Sequence, residues 1–147
     1  MFIRQFVTFR IDGRLMGIDI LNVREINRAL DITPVQHAPA YVRGLINLRG
    51  QPVTVFDMGV RLGLEARKID DETNNIILEN DLVGLLVDSI GEVIPVESDE
   101  LQPPPANVNG ITGEFIEVVV RLEEELLVVL SADRILRYHP ADSLGRA

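Results

Sequence analysis

The sequence contains no cysteine and no tryptophan, and these absences already exclude several kinds of protein. Without cysteine the chain has neither disulfides nor thiolate metal sites, which is compatible with a reducing cytosol. Only 5% of the residues are aromatic, so aliphatic side chains must supply most of the hydrophobic core. A chain of 147 residues is long enough to bury such a core as one domain without covalent cross-links.

Basic residues are also scarce: 14 lysines and arginines stand against 23 acidic residues, which gives a formal net charge of −9, and Lys68 is the only lysine. A protein that binds nucleic acid or an anionic membrane needs a basic surface to displace counterions, so we expect neither partner. No apolar run reaches the roughly 20 residues of a membrane-spanning helix, and the N-terminus lacks the pattern of a signal peptide. We therefore expect a cytoplasmic protein with no direct membrane insertion.

Short β-branched and aliphatic runs separated by turn residues dominate the chain and predict a mainly β fold. The predicted strands cover residues 6–11, 14–19, 45–48, 52–56, 76–79, 82–87, 92–96, 115–122 and 126–130. Asp12-Gly13 and Arg49-Gly50 predict tight hairpins, and Ser131 predicts the N-cap of a closing helix over 132–138. The segment 82–87 is apolar on both faces, which is typical of strands between two layers. Together these features indicate small β-barrels packed on one another.

No motif in the sequence predicts catalysis, a cofactor or a metal site. His37 and His139, the only histidines, lie near prolines, and we expect both on the surface. Neither Ser89 nor Ser131 has the glycine frame of a nucleophile elbow. The acidic run 70–75 does not fit an EF-hand, and no phosphate-binding glycine motif occurs. A small-molecule-binding or enzymatic β-barrel is the alternative, and its only support is that barrels commonly contain pockets.

An apolar stripe edged by charged residues fits none of these motifs. Ile20, Val23 and Ile26 recur at a spacing of three, which fits a short helical turn that runs into a strand. Arg43 and Arg49 bracket an apolar strand, and we expect the two side chains to face one opening. An apolar strip with charged edges suits the binding of an amphipathic helix. The alternative is that the stripe is ordinary core and the arginines are ordinary surface.

Segments along almost the whole chain resemble the CheW-like family, the adaptors of bacterial and archaeal chemotaxis. The resemblance is carried by residues 6–13, 17–26, 32–35, 41–53, 85–93 and 126–136, in the family's order and spacing. The most specific block is 42–50, which reads Val-Arg-Gly-Leu-Ile-Asn-Leu-Arg-Gly. The resemblance implies a single domain over 1–147 that consists of two five-stranded SH3-like β-barrels sharing a hydrophobic core, with short helices and a C-terminal helix.

The same resemblance implies a non-catalytic function in chemotaxis signal transduction. Members of the family couple the cytoplasmic tips of methyl-accepting chemoreceptors to the regulatory domain of the histidine kinase CheA, and are thereby recruited to receptor arrays at the membrane. A scaffold of a related chemosensory pathway, with twitching, gliding or another non-flagellar output, is the alternative.

By motif position, the resemblance also implies a receptor-binding groove. Its apolar lining would be Val7, Ile20, Val23, Ile26 and Ile90, and its charged edge would be Glu25, Arg43 and Arg49. Family members often have Arg-Gly where this chain has Glu117-Val118, so the resemblance assigns no kinase-contact residues here.

Overall fold

The computed structural model describes residues 2–28 and 31–137, and short β-strands make up most of these residues. In chain order the elements are β1 (Ile3–Ile11), β2 (Arg14–Asp19), β3 (Val23–Arg28), β4 (Val42–Leu48), β5 (Gln51–Asp57), α1 (Met58–Arg61), β6 (Asn74–Leu78), β7 (Val83–Val87), β8 (Ser89–Glu97), β9 (Asn107–Val108), β10 (Ile111–Thr112), β11 (Ile116–Arg121), β12 (Leu126–Leu130) and α2 (Ala132–Leu136). A 3₁₀ turn, Ile20–Asn22, joins β2 to β3. Neither helix of the described residues has the length and apolar character needed to cross a membrane.

The strands form two five-stranded sheets, as the sequence predicts for a mainly β protein with two halves. The first sheet has the order β11-β12-β2-β1-β8, and the second sheet has the order β3-β6-β7-β5-β4. The hairpin β9-β10 forms a separate small ribbon. Most neighbouring strands are antiparallel, but β12 pairs with β2 and β5 pairs with β7 in parallel.

A hydrophobic core lies between the two sheets and takes side chains from both. Val7 and Phe9 of β1 are buried in it together with Leu85 and Val87 of β7. Because successive strand residues point to opposite faces, Leu86 points away from this shared core and packs in a small cluster of the second sheet. One face of β7 thus packs in the shared core and the other face packs in this small cluster. This confirms the prediction that the segment 82–87 lies between two layers.

Gly44, in the middle of the most specific sequence block, lets the preceding segment cover the edge of β4. A Cβ atom at this position would lie 2.2 Å from the carbonyl oxygen of Thr33. The close approach allows Thr33 and Leu45 to exchange two backbone hydrogen bonds, each of 2.8 Å. Only glycine fits here, because any side chain would separate these two segments.

Both predicted hairpin turns are confirmed. Asp12 and Gly13 have φ angles of +51° and +77°, and Arg49 and Gly50 have φ angles of +50° and +85°. Two successive positive φ angles are the geometry that matches the right-handed twist of paired strands, and glycine adopts it without strain.

The closing helix begins where the sequence predicts and ends earlier. The Oγ atom of Ser131 accepts a hydrogen bond of 3.2 Å from the backbone N–H of Arg134, so Ser131 is the N-cap. The helix ends at Leu136 rather than at residue 138, and residues 138–147, with His139, lie outside the described residues. His37 is exposed in its loop, as predicted.

Candidate partner-binding site

The predicted apolar stripe lies on the 3₁₀ turn and on β3, and a register shift keeps its residues on one face. Val23 is opposite Leu78 in β6, and Ile26 is opposite Ile76, with one extra residue of β3 between the pairs. Directly opposed residues share a face of the sheet, and Leu78 and Ile76 both point into the shared core. Val23 and Ile26 therefore lie on the core side, although a regular strand would place residues three apart on opposite faces.

A second register shift has the same effect in β8. Ile90 is opposite Phe9 and Val93 is opposite Val7, so Ile90 and Val93 lie on the same face of the first sheet. The extra residue again lets a pair at spacing three share a face. Val93 is absent from the sequence-based prediction, and only knowledge of the shift would have revealed it.

Thr8 and Gly91 occupy this irregular point of the first sheet. The Thr8 hydroxyl donates a hydrogen bond of 2.5 Å to the carbonyl oxygen of Glu92. A Cβ atom on Gly91 would lie 2.7 Å from that hydroxyl, so glycine leaves the space that the hydroxyl fills. The bulge is thus built by specific residues, and it re-aims the residues on either side of it.

We call Ile20, Val23, Ile26, Ile90 and Val93 the apolar strip. Ile26 is 38% exposed and Val93 is 44% exposed, whereas Ile20, Val23 and Ile90 are half-buried at the margin of the shared core. Of the predicted apolar lining, Val7 does not reach the surface. It is only 3% exposed, so it supports the strip from the core side.

Glu25 and Arg49, which are distant in sequence, form an ion pair. Nη1 of Arg49 lies 3.3 Å from Oε1 of Glu25, and Nη2 of Arg49 binds Oε2, so the contact is bidentate. The hydrogen bond from Arg49, assisted by one from Asn27, lowers the pKa of Glu25. Glu25 is opposite Ile77 in β6, so it lies on the other face of β3 from Ile26. The pair therefore joins β3, at one edge of the second sheet, to the turn that links β4 at the other edge to β5.

Arg43 lies in a different environment from Arg49, at the other end of β4. Its Nη1 atom donates to Oδ2 of Asp57 at 2.9 Å and to the carbonyl oxygen of Arg67 at 2.8 Å. The buried Asp57 carboxylate also caps α1 by accepting from the N–H groups of Gly59 and Val60. A strand rises about 3.3 Å per residue, so the two arginines are roughly 20 Å apart along β4. The two arginines have separate partners at opposite ends of β4, and that they face one opening stays a prediction.

A depression of about 360 Å³ is lined by several carboxylates, and two of them, Asp12 and Asp88, are paired with Arg67. Arg67 is 4% exposed and its Nη1 atom donates to Asp12 at 3.0 Å and to Asp88 at 2.9 Å. The hydrogen bond from Arg67 lowers the pKa of Asp12. The arrangement ties the β1–β2 turn to the loop between α1 and β6. Within residues 2–28 and 31–137, no group of three or more metal-binding side chains comes together.

Comparisons with known proteins agree on one family. The family model described as "CheW-like domain" matches residues 5–139. "Chemotaxis protein CheW" of Treponema pallidum (strain Nichols) is 34% identical over 137 residues, which are 89% of this chain and 81% of that protein. "Chemotaxis protein CheW" of Bacillus subtilis (strain 168) is 34% identical over 134 residues, which are 90% of this chain and 86% of that protein. The crystal structure of the scaffolding protein TtCheW from Thermoanaerobacter tengcongensis matches with a TM-score of 0.86 and 28% identity, over 98% of this chain and 94% of that chain.

Proposed function

Because the chain belongs to the CheW-like family, we propose that it is a non-catalytic adaptor that couples the cytoplasmic tips of chemoreceptors to the regulatory domain of the histidine kinase CheA. In this function it works in the cytoplasm and is recruited to membrane receptor arrays through its partners. The observation that supports the proposal is the apolar strip: one register shift brings Val23 and Ile26 onto one face of β3, and a second brings Ile90 and Val93 onto one face of β8.

The strip offers what an amphipathic helix needs. Ile26 and Val93 are the exposed members of the strip, and their side chains would be covered by the apolar face of a receptor helix. Covering apolar surface contributes about 25 cal/mol per Å². Binding of this kind needs no covalent step, and the fit between the apolar strip and the apolar face of the receptor helix contributes to its affinity.

Arg49 is the charged residue best placed to fix the register of the bound helix. Its side chain is 65% exposed even while it is paired with Glu25. A guanidinium has five donors and can bind a carboxylate or backbone carbonyl of the partner while keeping its internal partner. Arg43, with its hydrogen bonds to Asp57 and Arg67, is assigned to the support of β4 and α1 instead.

The test is calorimetric titration of the folded protein with a chemoreceptor tip fragment and, separately, with the CheA regulatory domain. Ile26→Ser and Val93→Ser should each weaken receptor binding. Complete burial of such side chains is worth about 1.5–3 kcal/mol, so covering the exposed 38% of Ile26 predicts a loss of about threefold to sevenfold in affinity.

The chain supplies matched controls outside the strip. Ile69 is 44% exposed and Val35 is 42% exposed, and neither belongs to the strip. Ile69→Ser and Val35→Ser should leave receptor binding unchanged. Equal losses in the strip and control variants would reject the strip as the site, and the absence of binding to both partners would reject the adaptor function.

A further inference from the structure

The three most exposed large apolar side chains of the described residues lie together where the start of β1 meets the 3₁₀ turn Ile20–Asn22. Phe2, Ile3 and Leu21 are 63%, 62% and 81% exposed. With Ile20, they line a depression of about 530 Å³. We call Phe2, Ile3 and Leu21 the N-terminal patch. Single exposed apolar residues are ordinary, but a contiguous group marks a surface that a partner covers.

The N-terminal patch continues the apolar strip. Ile20 belongs to the strip and also lines the depression. The pairing of β1 with β8 is regular from Ile3 to Val7, so these two residues share a face of the first sheet. The partner of Val7 across the strands is Val93, a member of the strip. The two surfaces therefore meet at Ile20, and on the first sheet the exposed Gln5 lies between Ile3 and Val7.

Strand β1 also extends beyond its neighbour at this point. The pairing with β2 begins only at Phe6, opposite Asp19, so the residues before Phe6 have no strand on that side. The depression occupies this place. A partner segment can thus lie against the side of β1 without displacing any described strand.

The rim of the N-terminal patch is acidic. Arg4 is the one basic side chain there, and it is already paired with Asp19 at 2.8 Å and with Glu117 at 2.7 Å. Glu97 lies opposite Ile3, and the turn that follows it is tied to Phe2 by the hydrogen bond from Ser98 N–H to the Phe2 carbonyl. Three carboxylates adjoin the N-terminal patch: Asp19 lines the depression, Glu117 is paired with Arg4, and Glu97 lies opposite Ile3.

We propose that the N-terminal patch and its acidic rim bind the end of the same helix that occupies the apolar strip, and that this end carries apolar side chains flanked by lysine or arginine. The inference rests on the proposed function and names the chemistry of its partner. Charge argues for a basic helix rather than a second copy of this chain as the occupant. A second copy would bring a like acidic rim against the first, and each copy carries a net charge of −9.

The test is titration with the chemoreceptor tip fragment at two salt concentrations. Leu21→Ser should lower the affinity about tenfold or more, since the side chain is 81% exposed before binding. Leu82 is 40% exposed in the turn before β7, and Leu82→Ser, as the matched control, should leave the affinity unchanged. Glu97→Lys should weaken binding several-fold at low salt and less at high salt, because exposed charges are screened.

The outcomes separate this inference from the proposed function. If Ile26→Ser weakens binding while Leu21→Ser does not, the strip stands and the N-terminal patch is refuted as a docking surface. Tighter binding by the Glu97→Lys variant would refute the basic partner. Sedimentation that shows a dimer dissolved by Leu21→Ser would make a second copy the occupant and overturn the proposal. If the tip fragment does not bind the unaltered protein, both the N-terminal patch and the apolar strip are refuted as receptor-binding surfaces.

Discussion

Replacing Arg43, near the start of β4, and Arg49, just after its end, should have opposite effects on stability and on binding. Arg43→Met keeps the length of the side chain but removes the guanidinium that donates to Asp57 and to the carbonyl oxygen of Arg67. Arg49→Met removes only an exposed pair with Glu25. We expect Arg43→Met to destabilise the fold, and Arg49→Met to weaken receptor binding with little change in stability, since exposed ion pairs contribute little.

The structure sets the size of the Arg43 effect. A hydrogen bond to a charged group contributes about 1.5–3 kcal/mol, and the Arg43 side chain is 32% exposed, so solvent offsets part of the loss. Asp57 keeps its three backbone donors, which are the N–H groups of Gly59, Val60 and Arg67. The expected loss is therefore about 1–2 kcal/mol, or a fall in Tm of roughly 2–8 °C for a chain of this size.

Urea unfolding followed by circular dichroism measures both variants against the unaltered protein. Asp57→Ala should cost more than Arg43→Met, about 3–5 kcal/mol, because it removes the cap of α1 and leaves a guanidinium and three N–H groups without their acceptor. The double variant then gives a coupling energy of about 1–2 kcal/mol between Arg43 and Asp57. If Arg43→Met proves no more destabilising than Arg49→Met, the assignment of Arg43 to structural support is refuted.

Two further perturbations test the interior and the ion pairs. Asn75→Leu should raise the free energy of unfolding by about 1 kcal/mol, because neither the Nδ2 nor the Oδ1 atom of the buried Asn75 side chain has a hydrogen-bond partner; a lower urea midpoint would show that the amide is needed. Arginine partners hold the pKa values of Asp12, Glu25 and Glu125 below their ordinary 3.8–4.5. Such carboxyl groups stabilise the fold only while they are ionised. The free energy of unfolding should therefore fall on acidification below about pH 4.5. Arg49→Met should flatten part of this fall in urea midpoints measured from pH 7 to pH 3, and an unchanged profile would exclude a contribution from Glu25.

The parts of the fold that the sequence predicts well are those determined by neighbouring residues. The Asp12-Gly13 turn follows from the left-handed backbone that a tight hairpin needs, and the Ser131 cap follows from a hydroxyl within reach of the next N–H groups. Strand ends are less predictable. The strands β4 and β8 begin at Val42 and Ser89 rather than at residues 45 and 92, because cross-strand pairing sets those ends: Val42 pairs with Phe56 of β5, and Ser89 pairs with Arg10 of the distant β1.

The candidate site depends on features that no local pattern encodes. The spacing of Ile20, Val23 and Ile26 was visible in the sequence, but the shared face of Val23 and Ile26 is produced by a register shift against β6. Similarly, the acidic Glu117, which departs from the family's pattern, forms an ion pair with Arg4, 113 residues earlier in the chain. Contacts of this kind depend on the tertiary fold, so the sequence alone could not reveal them.

The order of strands in the two sheets has a consequence for how the chain folds as it is synthesised. The second sheet uses β3 to β7, a continuous stretch from Val23 to Val87, so all of its strands are available once the middle of the chain has emerged. The first sheet unites β1 and β2 with β8, β11 and β12, and its parallel pair β2–β12 joins the two ends of the chain. Distant pairings form slowly, and domains form in the order of synthesis where they can. We therefore expect β1 and β2 to keep apolar surface exposed until β8, β11 and β12 have been synthesised.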